Sequence, residues 1–265
     1  MNATAANFSN NPCSGISMPP NRLFGAYLTE AKYESLRMLR TPAFAIPFLG
    51  LPAMLLLLFG VLIFGNELRA DPNGAKFVFT AFSVLGMMGP GMFGFGAALA
   101  MEREQGLLKL KRALPMPQAA GLLAKMAMAI LFGVIVMITM IAAMPLAHVP
   151  LTTTQALNVA LINILGTLPF CALGLFIGAM ATGKTALAFV NIAYQVMMHL
   201  SGLFYPLPTF LRKIAPIWPT FHLQQLALAA AGAPSRGSTA VHVGVLVGVT
   251  IAATMLAVRR LSRVG

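Results

Sequence analysis

The sequence predicts an all-α polytopic membrane protein with six transmembrane helices, and three observations carry that expectation. Lys and Arg number 18 and Asp and Glu only 6 in 265 residues. That 9% charged share is far below the roughly one quarter found in water-soluble domains. Hydrophobic types make up 58% of the chain, which argues against a soluble enzyme, a disulfide scaffold or a disordered chain. The charges are also bunched, leaving uncharged runs over 41–66, 77–101, 126–183, 185–211 and 237–258. A bilayer span needs about 20 apolar residues, so four runs hold one helix each and the longest holds two.

The first 21 residues are polar, uncharged and rich in Asn, Ser and Pro. They lack the basic start and apolar stretch of a signal peptide, and residues 1–24 read as a disordered tail. The six-helix domain is expected over 25–265. Residues 26–40 place Leu28, Ala31, Ser35 and Leu39 along one face and Glu30, Lys32, Glu34 and Arg37 on the polar part. That pattern suits a helix lying in the membrane interface, and it equally suits a solvated helical lead-in. Spans follow at 43–65 and 77–100, with Glu67 and Asp71 solvated in the turn between them. Span two holds Pro90 among Gly86, Gly89, Gly91, Gly94 and Gly96, which makes it kinkable.

Residues 101–116 (MEREQGLLKLKRALPM) are the most charge-dense stretch. Glu102 and Glu104 open it and Lys109, Lys111 and Arg112 close it, the order that suits a helix macrodipole. Leu107, Leu108, Leu110 and Leu114 offer apolar contacts, and Pro115 stops the helix. A short amphipathic cytoplasmic helix is expected there. Pro145, His148, Pro150 and Thr152 to Thr154 divide the longest run into spans at 119–144 and 155–181. The last two spans are expected at 185–205 and 238–258. Between them, residues 206–235 alternate prolines with Phe210, Ile217, Trp218 and Phe221, as in a segment re-entering the bilayer against protein.

With both termini in the cytoplasm, only Arg69, Lys76, Arg212, Lys213 and Arg236 of the 18 basic residues lie outside. The positive-inside bias therefore favours that orientation. The net charge of +12 is a topology signal and implies no nucleic-acid partner. Cys13 and Cys171 fall in the tail and in a span, so they are not expected to pair. His148, His222 and His242 show no metal-ligand spacing, and no catalytic constellation is visible.

Gly178 to Thr185 (GAMATGKT) matches the G-x-x-x-x-G-K-[ST] pattern of a phosphate-binding loop. That chemistry needs a strand before the loop and a second acidic magnesium site. The flanks LPFCALGLFI and ALAFVNIAYQ are membrane-helix material, and Asp71 is the sole Asp. The match is rejected as a nucleotide site and reads as a tight cytoplasmic turn with Lys184 as an anchor.

Span five carries Asn191, Tyr194, Gln195 and His199. Asn191, Gln195 and His199 fall at i, i+4 and i+8 on one face. Polar groups inside a bilayer face a partner helix or a water-filled cavity. This face is therefore expected either to line a translocation path, with Met87, Met88 and Met92 opposite, or to hydrogen-bond between helices. Gly174 with Gly178 and Gly244 with Gly248 have the spacing of close helix approach.

The stretch MEREQGLLKLKRALPMPQAAG resembles the cytoplasmic loop of type-2 ATP-binding-cassette (ABC) exporter membrane subunits, with Glu102, Arg103, Glu104, Gly106, Leu108, Leu114 and Pro115 keeping the sense of its E-R-E-x-G pattern. Leu107 and Lys109 depart from the usual Thr and Glu. The helix at 26–40 resembles the family's connecting helix. The run HLSGLFYPLPTFLRKIAPIWPTFHLQQLALAA resembles its fifth span and re-entrant pair through Ser201, Gly202, Pro206, Pro216, Pro219 and His222. The resemblance covers 25–260. It implies a bacterial permease subunit without ATPase activity, paired with a second copy or a paralogue in the cytoplasmic membrane. ATP and magnesium would bind a separate cytoplasmic ATPase, with Glu102, Arg103, Glu104, Gly106, Leu108, Leu110 and Arg112 coupling to it. The implied cargo is a hydrophobic or amphiphilic, drug-like compound, with a polysaccharide or lipid-linked glycan as the alternative. A self-sufficient secondary transporter or channel is the rival class and should show ionisable residues at mid-membrane.

Overall fold

A computed structural model of the chain describes residues 20–107, 110, 118–204 and 207–264, and all regular structure among them is helical. The expected tail lies outside the described residues up to residue 19. Helix α1 runs Pro20–Leu39 and contains the expected interfacial helix. Helix α2 (Pro42–Leu57) begins with Thr41 extended at the N-cap and Pro42 at the first turn, where a missing N–H costs nothing. It continues as a wider π-helical turn over Leu58–Ile63. After the short α3 (Gly65–Ala70), Asp71 caps α4 (Pro72–Met92) by accepting from the Asn73 amide at 3.0 Å. A π-helical segment, Phe93–Ala97, joins α4 to α5 (Ala98–Glu104) without a break.

Helix α6 spans Gln118–Ala143. Helix α7 (Thr153–Leu165) starts in a full capping box in which Thr152 and Gln155 satisfy each other's backbone amides, the reciprocal arrangement that fixes a helix start. Gly166 separates it from α8 (Thr167–Met180). Helix α9 is Gly183–Leu200. Two 3₁₀ turns, Leu211–Lys213 and Ala215–Ile217, lead into α10 (Pro219–Ala230), and α11 (Thr239–Val264) closes the chain.

Among the described residues, five helical stretches are long and apolar enough to cross a membrane: Pro42–Ile63, Pro72–Glu104, Ala120–Ala143, Thr153–Met180 and Thr239–Leu261. The sixth expected span, 185–205, corresponds to α9. It ends at Leu200 and carries Lys184, Asn191, Gln195 and His199 in 18 residues, so length and apolarity alone do not place it among the spanning helices. The stretch from Pro72 to Glu104 is the axis of the bundle. In its most apolar window 83% of positions are buried, against 17% for Pro42–Ile63 and 22% for Thr239–Leu261. Its 33 residues extend about 50 Å at 1.5 Å per residue, well beyond a hydrocarbon core of about 30 Å.

Packing around this axis depends on missing side chains. A Cβ on Gly89 would overlap the Phe48 ring of α2. Gly178 of α8 lies so close to Gly96 that a Cβ would sit 2.6 Å from the Gly96 carbonyl, and Gly174 similarly meets Gly91. The Gly174 and Gly178 pair thus makes a close crossing. Gly244 and Gly248 do not, because nothing lies within 4 Å of where their Cβ atoms would be. Met87, Met88, Met92, Met128, Met137 and Met140 fill the interior with Phe79, Phe132 and Phe170, flexible side chains suited to irregular gaps between helices.

Candidate functional site

Two polar constructions stand out, one at each side of the central helix. The first is a closed ion cluster where α1, α5 and α6 meet. Lys125 donates from Nζ to Glu34 Oε1 at 2.6 Å and to Glu102 Oε1 at 2.8 Å. Arg37 Nη2 donates to the same two oxygens, each at 2.7 Å. Glu34, Glu102 and Lys125 are 6%, 3% and 2% exposed, whereas the Arg37 side chain is 45% exposed. Among the described residues two carboxylates meet two cations, and charges can be buried only when paired and hydrogen-bonded in this way. Burial alone would lower the Arg37 value, but the Glu34 and Glu102 carboxylates outweigh it and hold the guanidinium above its ordinary range.

The next residues of α5 fasten the other side. Arg103 donates to the Ala179 carbonyl at 2.9 Å and the Ala181 carbonyl at 2.6 Å, satisfying acceptors left free where α8 ends. The Glu104 carboxylate rests against Gly183, at the start of α9, where an added Cβ would overlap it. A negative group at a helix N-terminus is favourable. The helix then stops at Gly106, whose φ of +73° suits glycine, with its N–H donating to the Arg103 carbonyl at 3.1 Å.

The second construction is a cavity of about 170 Å³ between α2, α4 and α9. Asn191, Tyr194 and Gln195 come from α9, Pro47, Phe48, Leu51 and Pro52 from α2, and Leu85, Gly86 and Phe93 from the axis. Tyr194 packs edge-on against Phe93 with ring centres 5.6 Å apart. The wall is therefore apolar with two amides at one edge. Beyond it, the outer faces of α2 and α9 leave Ile46, Met54, Leu187, Phe189 and Ile192 exposed.

A family model described as ABC-2 type transporter matches residues 26–230. The chain belongs to the ABC-2 type transporter family. It is also 26% identical over 195 residues to YvfS of Bacillus subtilis (strain 168), a protein whose name describes it as a transport permease. That alignment covers 71% of this chain and 78% of the relative. The protein is thus a multi-pass membrane permease subunit of the ABC-2 type rather than an enzyme.

In this permease the expected coupling residues separate into two groups. Glu102 and Arg103 are engaged inside the bundle, on the end of the central helix rather than on a separate helix. Glu102, expected on a docking surface, is held by Lys125 and Arg37 instead. Glu104 and Leu110 are exposed, and Gly106 forms the turn between them. Leu108 and Arg112, with the rest of 111–117, lie outside the described residues. Of the expected translocation residues, Asn191, Tyr194 and Gln195 come together in the cavity. His199 does not: its Nδ1 donates to the Gln195 carbonyl at 2.8 Å and its ring stacks on Phe204. Met87, Met88 and Met92 are absent from the cavity wall and fully buried. Met87 faces the Thr167 hydroxyl of α8, 3.5 Å away. The central helix lines the cavity through Leu85, Gly86 and Phe93 instead.

The Gly178 to Thr185 segment runs from the end of α8 to the start of α9, with helix on both sides. The Glu104 carboxylate against Gly183 would repel a phosphate there. Sequence reasoning missed Lys125 and Arg37 as partners of Glu102, and Glu34 as the second carboxylate they hold. The available signal was Lys125, a base inside the expected span 119–144 with no acid within four residues of it.

Proposed function

We propose that this permease is the membrane half of an ATP-driven exporter, in which a separate cytoplasmic ATPase binds ATP and magnesium and drives transport. Six spans cross the cytoplasmic membrane in this reading, with α9 as the additional one and both termini inside. The carrying observation is the unbroken helix Pro72–Glu104, which lines the cavity through Leu85, Gly86 and Phe93 and ends in the ion cluster beside Gly106. A push on the loop after Gly106 reaches the cavity through one rigid element, the kind of motion by which packed helices shift together. The loop over 101–116 docks on the ATPase, and Glu104, Gly106 and Leu110 supply its described part.

The cargo is a hydrophobic or amphiphilic compound. Support comes from the composition of the cavity, where aromatic and proline side chains face two amides, the mixture that binds apolar molecules while fixing their orientation. The exposed apolar faces of α2 and α9 support pairing with a second copy or a paralogue, which would enlarge the cavity between two subunits.

The test is Gly106→Pro in the full chain co-expressed with its ATPase. Proline cannot adopt the φ of +73° and removes the N–H bonded to Arg103. The expected outcome is normal membrane insertion with loss of ATPase co-purification and of transport. Unchanged ATPase association and unchanged transport would reject the coupling assignment.

A further inference from the structure

The geometry points to a proton-binding site formed by His222 of α10 and His242 of α11, in which the two buried rings share one proton and hold the α10 segment to α11. The rings meet through their Nδ1 atoms at 2.8 Å. Each Nε2 faces a backbone carbonyl, that of Pro216 at 2.7 Å for His222 and that of Arg236 at 2.6 Å for His242. A carbonyl oxygen only accepts, so both Nε2 atoms carry hydrogen. In two neutral rings both Nδ1 atoms would then be bare lone pairs pointing at each other. A separation of 2.8 Å is the length of a hydrogen bond, so one proton lies between them. The pair is an imidazole with an imidazolium, four ring nitrogens holding three protons and one positive charge.

A metal ion fits this gap poorly. Two histidine nitrogens each about 2.0–2.1 Å from a tetrahedral ion stand farther apart than this pair, and among the described residues no group of three metal-ligating side chains exists. The surroundings also contribute no carboxylate. The pair is 4% and 5% exposed. From the packed elements, α4 brings Lys76 and α9 brings Tyr194 and His199, while α7 and the turn at 215–217 bring no titratable group. Cys171 comes from α8, and Arg212, Lys213 and Arg236 flank from the connecting chain. The acids of the turn at this end of the bundle are Glu67 and Asp71, and Asp71 is occupied with the Asn73 amide.

Both directions of titration therefore loosen the clasp. Burial first, and then the charge of His242, hold His222 below the ordinary imidazole value, against the opposite pull of the Pro216 carbonyl. As pH falls through that lowered value, His222 takes a proton of its own, two imidazolium ions face each other and their stabilisation is lost. As pH rises far enough to remove the shared proton, one ring must turn its remaining hydrogen inward and give up its carbonyl. The segment freed is the one containing Trp218, which forms the N-cap of α10 two residues after Pro216.

Trp218 is the sole tryptophan, so its emission reports on this segment directly. The full chain is reconstituted in nanodiscs of phosphatidylethanolamine and phosphatidylglycerol and titrated from about pH 5 to about pH 9, the range over which histidines exchange protons. The expected result is a plateau bounded by an acid and an alkaline break, with His242→Gln removing both. Nitrogen-15 histidine spectra of the unmodified chain on the plateau are expected to show three protonated ring nitrogens for the pair. A flat emission profile, breaks that persist in His242→Gln, only two protonated nitrogens, or a response that requires added zinc ion would each overturn the proposal. The spectra need no variant, so a misfolded substitution does not protect the idea.

Discussion

The ion cluster and the α9 cavity are both built from polar residues on membrane helices, yet they are finished in opposite ways. In the cluster every charge meets its counter-charge within 2.8 Å, and three of the four residues are buried. In the cavity Asn191 and Gln195 remain exposed at the edge of an apolar wall. A network of paired buried charges rigidifies and fixes one arrangement of helices, whereas exposed amides keep bonding capacity for something else. The contrast assigns the joint to the first and ligand contact to the second.

The strongest way to break this contrast is Lys125→Met. It removes the buried cation that both carboxylates share, and removal of one partner from a buried pair costs about 3–5 kcal/mol. The expected outcome is a large loss of folded protein in the membrane and a lower melting temperature of whatever is purified. Adding Glu34→Gln to Lys125→Met should recover part of the loss, and an unchanged melting temperature in the single variant would show that the cluster is not a joint. Next in size is the paired change Asn191→Ala with Gln195→Ala. Both side chains are exposed, so assembly and thermal stability should stay as they are. Transport should fall on the order of tenfold, equivalent to about 1.4 kcal/mol, and full transport would remove the cavity from the path. Smallest is His199→Ala. Its ring stacks on Phe204 outside the cavity, so transport should change less than about twofold, the scale of a surface substitution. A loss as large as that of the amide pair would return His199 to the translocation route.

Hydropathy made five of the six expected spans legible to within a few residues, because the bilayer imposes both length and apolarity on any segment that crosses it. The span expected at 77–100 falls within Pro72–Glu104, and the one expected at 238–258 matches Thr239–Leu261 but for its first residue. The amide face of α9 was legible for the same reason that any helical face is, since residues four apart lie above one another. Its opposing wall was not. Assigning Met87, Met88 and Met92 to it required knowing how the central helix is turned, and only packing against α2 and α8 fixes that. Glu102 was misplaced because local charge density says that a stretch is polar without saying which charges turn inward. Its partner Arg37 is on α1 and its partner Lys125 is 23 residues away. His222 and His242 looked scattered because their 20-residue separation spans the end of one helix and the start of the next. Only the antiparallel turn between α10 and α11 makes them neighbours.

The π-helical segment at Phe93–Ala97 sets the phase between the two halves of the central helix. Each residue added to or taken from a helix turns everything beyond it by about 100° and shifts it about 1.5 Å. Deleting one residue from 94–97, so that an ordinary α-helical turn replaced the wide one, would leave the cavity wall in place and swing Glu102 away from Lys125. The wide turn therefore works as an angular spacer: it lets Leu85 and Phe93 face one cavity while Glu102 faces another helix. Chain length in this stretch is accordingly the least adjustable dimension of the bundle.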